Sequence, residues 1–161
     1  MTDQIRFERA TEAVNLLIKK GWTIAFAESC TGGMACARLV DVPDASKVLN
    51  ASFVTYANEA KTGLLGVSDD VLQSYGAVSE PVAHQMAQGV AKEARANVGV
   101  AITGIAGPGG GTEDKPVGTV CFGFSMEGAV FTATKRFGAL GRNNVRTAAV
   151  DFVFETLLER L

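Results

Sequence analysis

The chain has a single histidine, His84. It falls in a stretch that reads as a helix surface, so a Ser-His-Asp triad has little to draw on. Cysteine is scarce too: Cys30, Cys36 and Cys121 are odd in number and lack metal-ligand spacing. Free thiols in a reducing cytoplasm are the simplest reading, with no disulfide framework and no metal site. Neither sign of charge is in excess, with 15 Lys and Arg against 17 Asp and Glu and a formal net charge of −2. The basic residues are scattered, which argues against a nucleic-acid or membrane surface but still allows a small anionic ligand. No apolar run is long enough to span a bilayer, and Met1-Thr2-Asp3-Gln4 leads into an amphipathic stretch rather than a signal pattern. The expected location is the cytoplasm.

What is present is a globular composition. Apolar residues make up 47% of 161 and charged residues 20%, enough for a real core in one domain. No repeat, linker or low-complexity tract divides residues 1–161, so a single domain is expected.

Apolar periodicity predicts a helix over 5–19, closed by Lys19-Lys20 and Gly21. A short buried strand follows at Thr23–Ala27, then a helix from Met34 to Val40, stopped near Pro43. A second strand is expected over Val48–Tyr56, with Asn58 capping a short helix to Leu65. Ser68 caps the next helix, which ends near Gly76. Pro81 suits the first turn of a long helix reaching about Ala96. Val98–Thr103 reads as a buried strand and Gly104–Val117 as a glycine-rich loop. A hairpin over 118–126 and 130–137 turns at Glu127-Gly128, and a last helix runs over 143–160. Strands separated by helices, then a hairpin, predict a three-layer α/β/α domain with a mixed β-sheet.

Three polar segments interrupt this pattern, each after an expected buried strand, where sites gather in open α/β sheets. The first is Ala27-Glu28-Ser29-Cys30-Thr31-Gly32-Gly33. A serine at such a corner can be held out of the core, and the amides that follow can bind an oxyanion or a phosphate. The plain alternative is that Ser29 or Thr31 caps a helix and the glycines make a turn. Cys30 is a second candidate nucleophile, with no histidine close by to activate it.

The second segment is Thr55-Tyr56-Ala57-Asn58-Glu59-Ala60-Lys61. With Tyr56 at a strand end and Lys61 one turn into a helix, both can face one cleft. A partly buried lysine can act as base for a serine, and Tyr56 can pass a proton or hold the serine hydroxyl. A solvated surface lysine beside an edge tyrosine fits the same letters. The third segment is Thr103-Gly104-Ile105-Ala106-Gly107-Pro108-Gly109-Gly110-Gly111. It is neither a Walker loop nor a dinucleotide fingerprint, so no bound cofactor is expected. Its glycines suit a backbone pressed against a ligand, or a flexible connector.

These segments carry a resemblance. Together with Gly76-Ala77-Val78-Ser79-Glu80-Pro81 and Lys115-Pro116-Val117-Gly118-Thr119-Val120, they occur in the same order in the CinA carboxy-terminal family. The match covers nearly the whole chain. The resemblance implies hydrolysis of nicotinamide mononucleotide to nicotinate mononucleotide and ammonia, with a catalytic serine, lysine and tyrosine at Ser29, Lys61 and Tyr56. It implies substrate contacts along Cys30, Thr31, Gly32 and Gly33 and along Thr103, Gly104, Ile105, Ala106 and Gly107. The chain resembles the stand-alone form, without the amino-terminal domain of longer CinA proteins. Many relatives carry Gly-Asp-Arg before the last helix where this chain reads Leu140-Gly141-Arg142, which leaves Arg142 as the candidate phosphate contact.

The reading favoured here is an amide hydrolase acting on a small-molecule nucleotide, with a homo-oligomer left open. The competing reading is a non-catalytic nucleotide-binding or competence/damage-response module, which has no use for a nucleophile and its base. A phosphotransferase would need a lysine and metal-binding carboxylates that the glycine loop lacks.

Overall fold

The computed structural model describes residues 1–161. Thr2 caps the first helix, α1 (Asp3–Lys20), by accepting from the Ile5 amide, and Lys19 and Lys20 sit in its last turn before Gly21. The chain continues through β1 (Ile24–Glu28), α2 (Met34–Val40), a single 3-10 turn at Ala45–Lys47 and β2 (Leu49–Val54). Then come α3 (Asn58–Leu65), α4 (Asp69–Tyr75) and α5 (Glu80–Glu93). Ser68 and Ser79 cap α4 and α5 through their hydroxyls. β3 (Val98–Gly104), the hairpin β4 (Thr119–Met126) and β5 (Ala129–Arg136), and α6 (Arg142–Arg160) complete the chain. No helix is long and apolar enough to cross a membrane.

The five strands form one mixed sheet in the order β2-β1-β3-β4-β5. β1 lies parallel to both β2 and β3, while β4 and β5 run antiparallel. Side chains alternate across the sheet, and the two faces differ in size. Phe26, Val100, Ile102, Phe122 and Phe124 pack with Leu17 of α1, Leu39 of α2 and Val153 and Leu157 of α6. At its centre the opposite face offers small residues, Ala25, Ala27 and Ala101, under Val82, Met86 and Val90 of α5 and Leu65 of α3, with Phe53 and Val130 packed at its margins. Gly123 takes this to its limit: a Cβ there would sit 2.2 Å from the Ala83 carbonyl oxygen. The backbone of α5 therefore lies directly on the sheet, an approach that only glycine permits. The result is a three-layer α/β/α fold with a mixed sheet.

The register positions the polar segments. Glu28 pairs with Val54 on one side and Ile102 on the other, so β1 and β2 end level while β3 runs on to Gly104 against β4. The Ser29 amide donates to the Ile102 carbonyl at 2.9 Å and the Thr55 amide to the Glu28 carbonyl at 2.9 Å. Ser29 and Thr55 thus leave the sheet side by side, next to Thr103 in β3.

Two boundaries differ from the expected ones for one reason. β2 ends at Val54 rather than Tyr56, and α3 starts at Asn58 with Ala57 as its uncapped N-cap. The carbonyls of Thr55 and Tyr56 turn away from the sheet to accept from Lys61 Nζ. The lysine ties down the start of its own helix, and the Asn58 side chain is not used. α5 stops at Glu93, before Ala96, because Arg95 takes a left-handed backbone (φ 51).

Candidate active site

Lys61 is buried, with 1% of its surface exposed. Its Nζ donates to the Thr55 carbonyl at 2.8 Å and the Tyr56 carbonyl at 3.2 Å, and lies 3.3 Å from Ser29 Oγ. This arrangement has a chemical consequence. A neutral amine has two N–H donors and one lone pair, whereas the ammonium has three donors. Two carbonyls take two N–H bonds, and the third direction faces the serine hydroxyl. Deprotonated Lys61 would therefore turn its lone pair toward Ser29 Oγ–H. Burial lowers the lysine pKa, opposed by smaller contributions from Cys30 and Glu59. The salt bridges join Arg6, Arg9, Arg38 and Lys47 to carboxylates, and none includes Lys61.

The corner after β1 is held by a buried carboxylate. Glu28 is fully buried and accepts from the amides of Gly33, Ala35 and Cys36 at 2.9–3.1 Å. Those are the unpaired donors at the start of α2. The Gly32 amide donates to the Ser29 carbonyl at 3.0 Å. Gly32 and Gly33 are thus already engaged, and the start of α2 is filled by Glu28 rather than left open for a phosphate. No carbonyl or carboxylate accepts from the amides of Cys30 and Thr31. Thr31 Oγ1 and Thr55 Oγ1 are also buried without a partner.

Cys30 fits a structural role. Its thiol packs where Gly104 closes the neighbouring strand: a Cβ on Gly104 would lie 3.1 Å from Cys30 Sγ and 2.7 Å from Val120. Burial pushes the thiol pKa up to about 11, so at neutral pH it is not the thiolate that nucleophilic attack requires.

In the third segment Thr103 is buried and spends its hydroxyl on the Ala77 carbonyl at 2.8 Å. Ile105 exchanges backbone bonds with Thr119 and Gly118. The amides of Ala106 and Gly107 donate to no backbone carbonyl. Arg142 joins the second and third segments: it donates to the Gly107 carbonyl and to the Tyr56 hydroxyl, both at 2.9 Å. Tyr56 is 60% exposed. It meets Lys61 through its carbonyl and Arg142 through its phenol, and the phenol has no bond to Ser29 or Lys61.

Two residues here escaped the sequence reading. Glu28 ends an apolar strand, so a charged residue at a buried register position was the available signal. Arg146 stands one helical turn beyond Arg142, a spacing that puts both on one face. Its guanidinium donates to the carbonyls of Cys30 and Thr31 at 3.0 and 3.1 Å. Arg142 and Arg146 face no carboxylate, so this strand end is cationic. A cleft of about 700 Å³ lies at the other end of the sheet, around Gln88, Lys92, Arg95 and Asn97. It holds no nucleophile–base pair, so its size does not make it the site of chemistry.

The family described as the CinA C-terminal domain matches residues 7–161. The chain belongs to the CinA C-terminal domain family. It is 46% identical over 159 residues to the nicotinamide-nucleotide amidohydrolase PncC of Enterobacter agglomerans, covering 98% of this chain and 96% of that one. It is 48% identical over 143 residues to a protein of Clostridium acetobutylicum named for competence-damage induction, covering 86% of this chain but only 34% of that one. The chain thus spans about a third of that longer relative. Among solved structures, the competence/damage inducible protein CihA of Agrobacterium tumefaciens superposes with a TM-score of 0.93 at 41% identity, over 96% of this chain and 94% of the other. A CinA superfamily protein of Escherichia coli superposes with a TM-score of 0.94 at 37% identity, over 100% of this chain and 94% of the other.

Proposed function

We propose that this CinA C-terminal domain is a nicotinamide-nucleotide amidase that hydrolyses nicotinamide mononucleotide to nicotinate mononucleotide and ammonia. The observation that carries the chemistry is the buried Lys61 Nζ, held by two carbonyls with its third direction on Ser29 Oγ. The near full-length similarity to a protein named as a nicotinamide-nucleotide amidohydrolase supports the substrate.

In this reading Ser29 Oγ attacks the carboxamide carbon while Lys61 takes its proton. The oxyanion is met by the unengaged amides of Cys30 and Thr31. Collapse of the tetrahedral species breaks the C–N bond, and the proton held by Lys61 leaves with ammonia. Water then attacks the acyl-serine, again with Lys61 as base, releasing the carboxylate. Arg142 donates to the phenol oxygen of Tyr56, which leaves the O–H free to donate toward the departing nitrogen. The test is ammonia release from nicotinamide mononucleotide by purified protein. Absence of turnover would reject the amidase reading.

The phosphate is assigned to Arg142 with the Ala106 and Gly107 amides, since Glu28 occupies the start of α2. Arg142→Ala should raise KM for the mononucleotide about tenfold, because a remote phosphate contact acts in ground and transition states alike, and should cost kcat a smaller factor through the released Tyr56 phenol. The riboside, lacking the phosphate, should keep its KM and show only the smaller loss in kcat. A loss confined to kcat would contradict the assignment.

Lys61 also sets a pH dependence. The base must be deprotonated, so kcat/KM should rise with pH along a limb centred below the free-lysine value of about 10.4. Stability should move in the same direction. With the native pKa lowered, the unfolded chain binds more protons between the native and free values, so stability rises with pH through that window. Below the window the burial cost is constant. Lys61→Met should flatten this rise in pH-dependent thermal denaturation; an unchanged profile would show that another group titrates.

A further inference from the structure

We infer that Arg146 is a positioning residue that aims and polarises the Cys30–Thr31 peptide as the oxyanion donor. The inference rests on the serine-amidase reading above. The Cys30–Thr31 bond is trans, since the only cis bond in the chain is Gly107-Pro108. In a trans peptide the C=O and the following N–H point in opposite directions. Arg146 Nε holds the Cys30 carbonyl at 3.0 Å, so the Thr31 N–H is turned to the side away from α6. A second guanidinium bond, from Nη2 to the Thr31 carbonyl at 3.1 Å, locks the following peptide. The fork is itself steadied by Asn143 Oδ1, which accepts from Nη1 at 3.2 Å.

Three observations mark the far side of this peptide as a place for an anion. The Thr31 N–H has no carbonyl or carboxylate acceptor. The Thr31 hydroxyl is fully buried and has no partner. Both belong to Thr31, two residues beyond Ser29, whose attack would develop negative charge on the substrate oxygen. A cation bound to the carbonyl end of a peptide draws electron density from its N–H, which strengthens that N–H as a donor. No carboxylate pairs with Arg146 to cancel the effect. Arg146 touches the peptide rather than the substrate, so its contribution should be felt in the transition state and not in ground-state binding.

The experiment compares Arg146→Ala and Arg146→Lys with wild type on nicotinamide mononucleotide and on its riboside, with melting temperature recorded for each. Removing an oxyanion donor outright costs about a hundredfold or more in kcat. Misaiming one should cost roughly ten- to a hundredfold in Arg146→Ala, with KM within about threefold and the same factor for both substrates. Arg146→Lys, which keeps the charge but not the fork, should recover part of the loss. Loss on the mononucleotide alone, through KM, would make Arg146 a phosphate contact and overturn the proposal. So would full activity of both variants. If Arg146→Ala does not fold, Arg146→Lys with a wild-type melting temperature decides: reduced kcat at unchanged KM supports the proposal, and unchanged kcat overturns it. Ser29→Ala run alongside separates the two readings. An active Ser29→Ala rejects the serine mechanism, whereas an inert Ser29→Ala beside fully active Arg146 variants rejects only the role given to Arg146.

Discussion

Ser29→Ala, folded and otherwise intact, should release ammonia from nicotinamide mononucleotide at about a thousandth of the wild-type rate or less. A carboxamide is a poor electrophile and a neutral hydroxyl a poor nucleophile, so neither member of the pair is useful alone. Lys61→Ala should show a loss of similar size, because Ser29 would keep its proton. The double variant should be little worse than either single one, since removing the second partner of a disabled pair removes nothing further. Ser29→Cys should keep a trace of activity, a thiol being able to attack the same carbon. Folding should survive loss of the Ser29 hydroxyl: its one hydrogen-bonding partner is Lys61 Nζ, which retains the carbonyls of Thr55 and Tyr56. The measurement is ammonia release by each variant with its melting curve beside it. Near wild-type turnover by folded Ser29→Ala would remove the serine mechanism and promote a lysine-activated water. Cys30 would be a poor substitute, because burial keeps its thiol protonated at neutral pH.

The pair could be suspected from the sequence because each partner follows an expected strand, though β2 is a partly exposed edge strand rather than the buried one expected. Short apolar runs mark β1 and β3, a second strand is expected at β2, and polar runs mark where they end. The level register that brings those ends together comes from parallel pairing on both sides of β1, which no local pattern encodes. The burial of Lys61 is expected from what a serine's base requires rather than from local pattern, and the structure bears it out: a lysine in an exposed helix turn and one folded back under two carbonyls are spelled alike. The resemblance to CinA domains supplied what local patterns could not. Glu28 and Arg146 stayed hidden for a related reason. Each acts on backbone amides or carbonyls of another element, and a backbone partner leaves no letter in the sequence to pair with. The start of α2 shows the cost, since it read as an open anion site while its own upstream glutamate fills it.

Glu28→Ala should therefore be among the most damaging changes in the chain, by a route distinct from Ser29. The glutamate is fully buried and both its oxygens are used, Oε2 by Gly33 and Ala35 and Oε1 by Cys36. Hydrogen bonds to a charged group contribute about 1.5–3 kcal/mol each, and buried donors left unpaired carry their own desolvation cost. The three bonds share one anion and do not add fully, so a loss of about 3–5 kcal/mol is expected. For a chain of this size that corresponds to a fall in Tm of roughly 6–20 °C. α2 has only seven residues, too few to persist on propensity alone, so the corner holding Ser29 should loosen with it. Ammonia release should fall even at temperatures where the variant is folded. Glu28→Gln is the informative companion. It keeps the volume and one acceptor oxygen, but its NH2 group must face an amide N–H, so it should lie between wild type and alanine in both Tm and turnover. Equal melting of all three proteins would show that the carboxylate does not anchor α2, and that the corner at Ser29 is held by its glycine turn and by Arg146 alone.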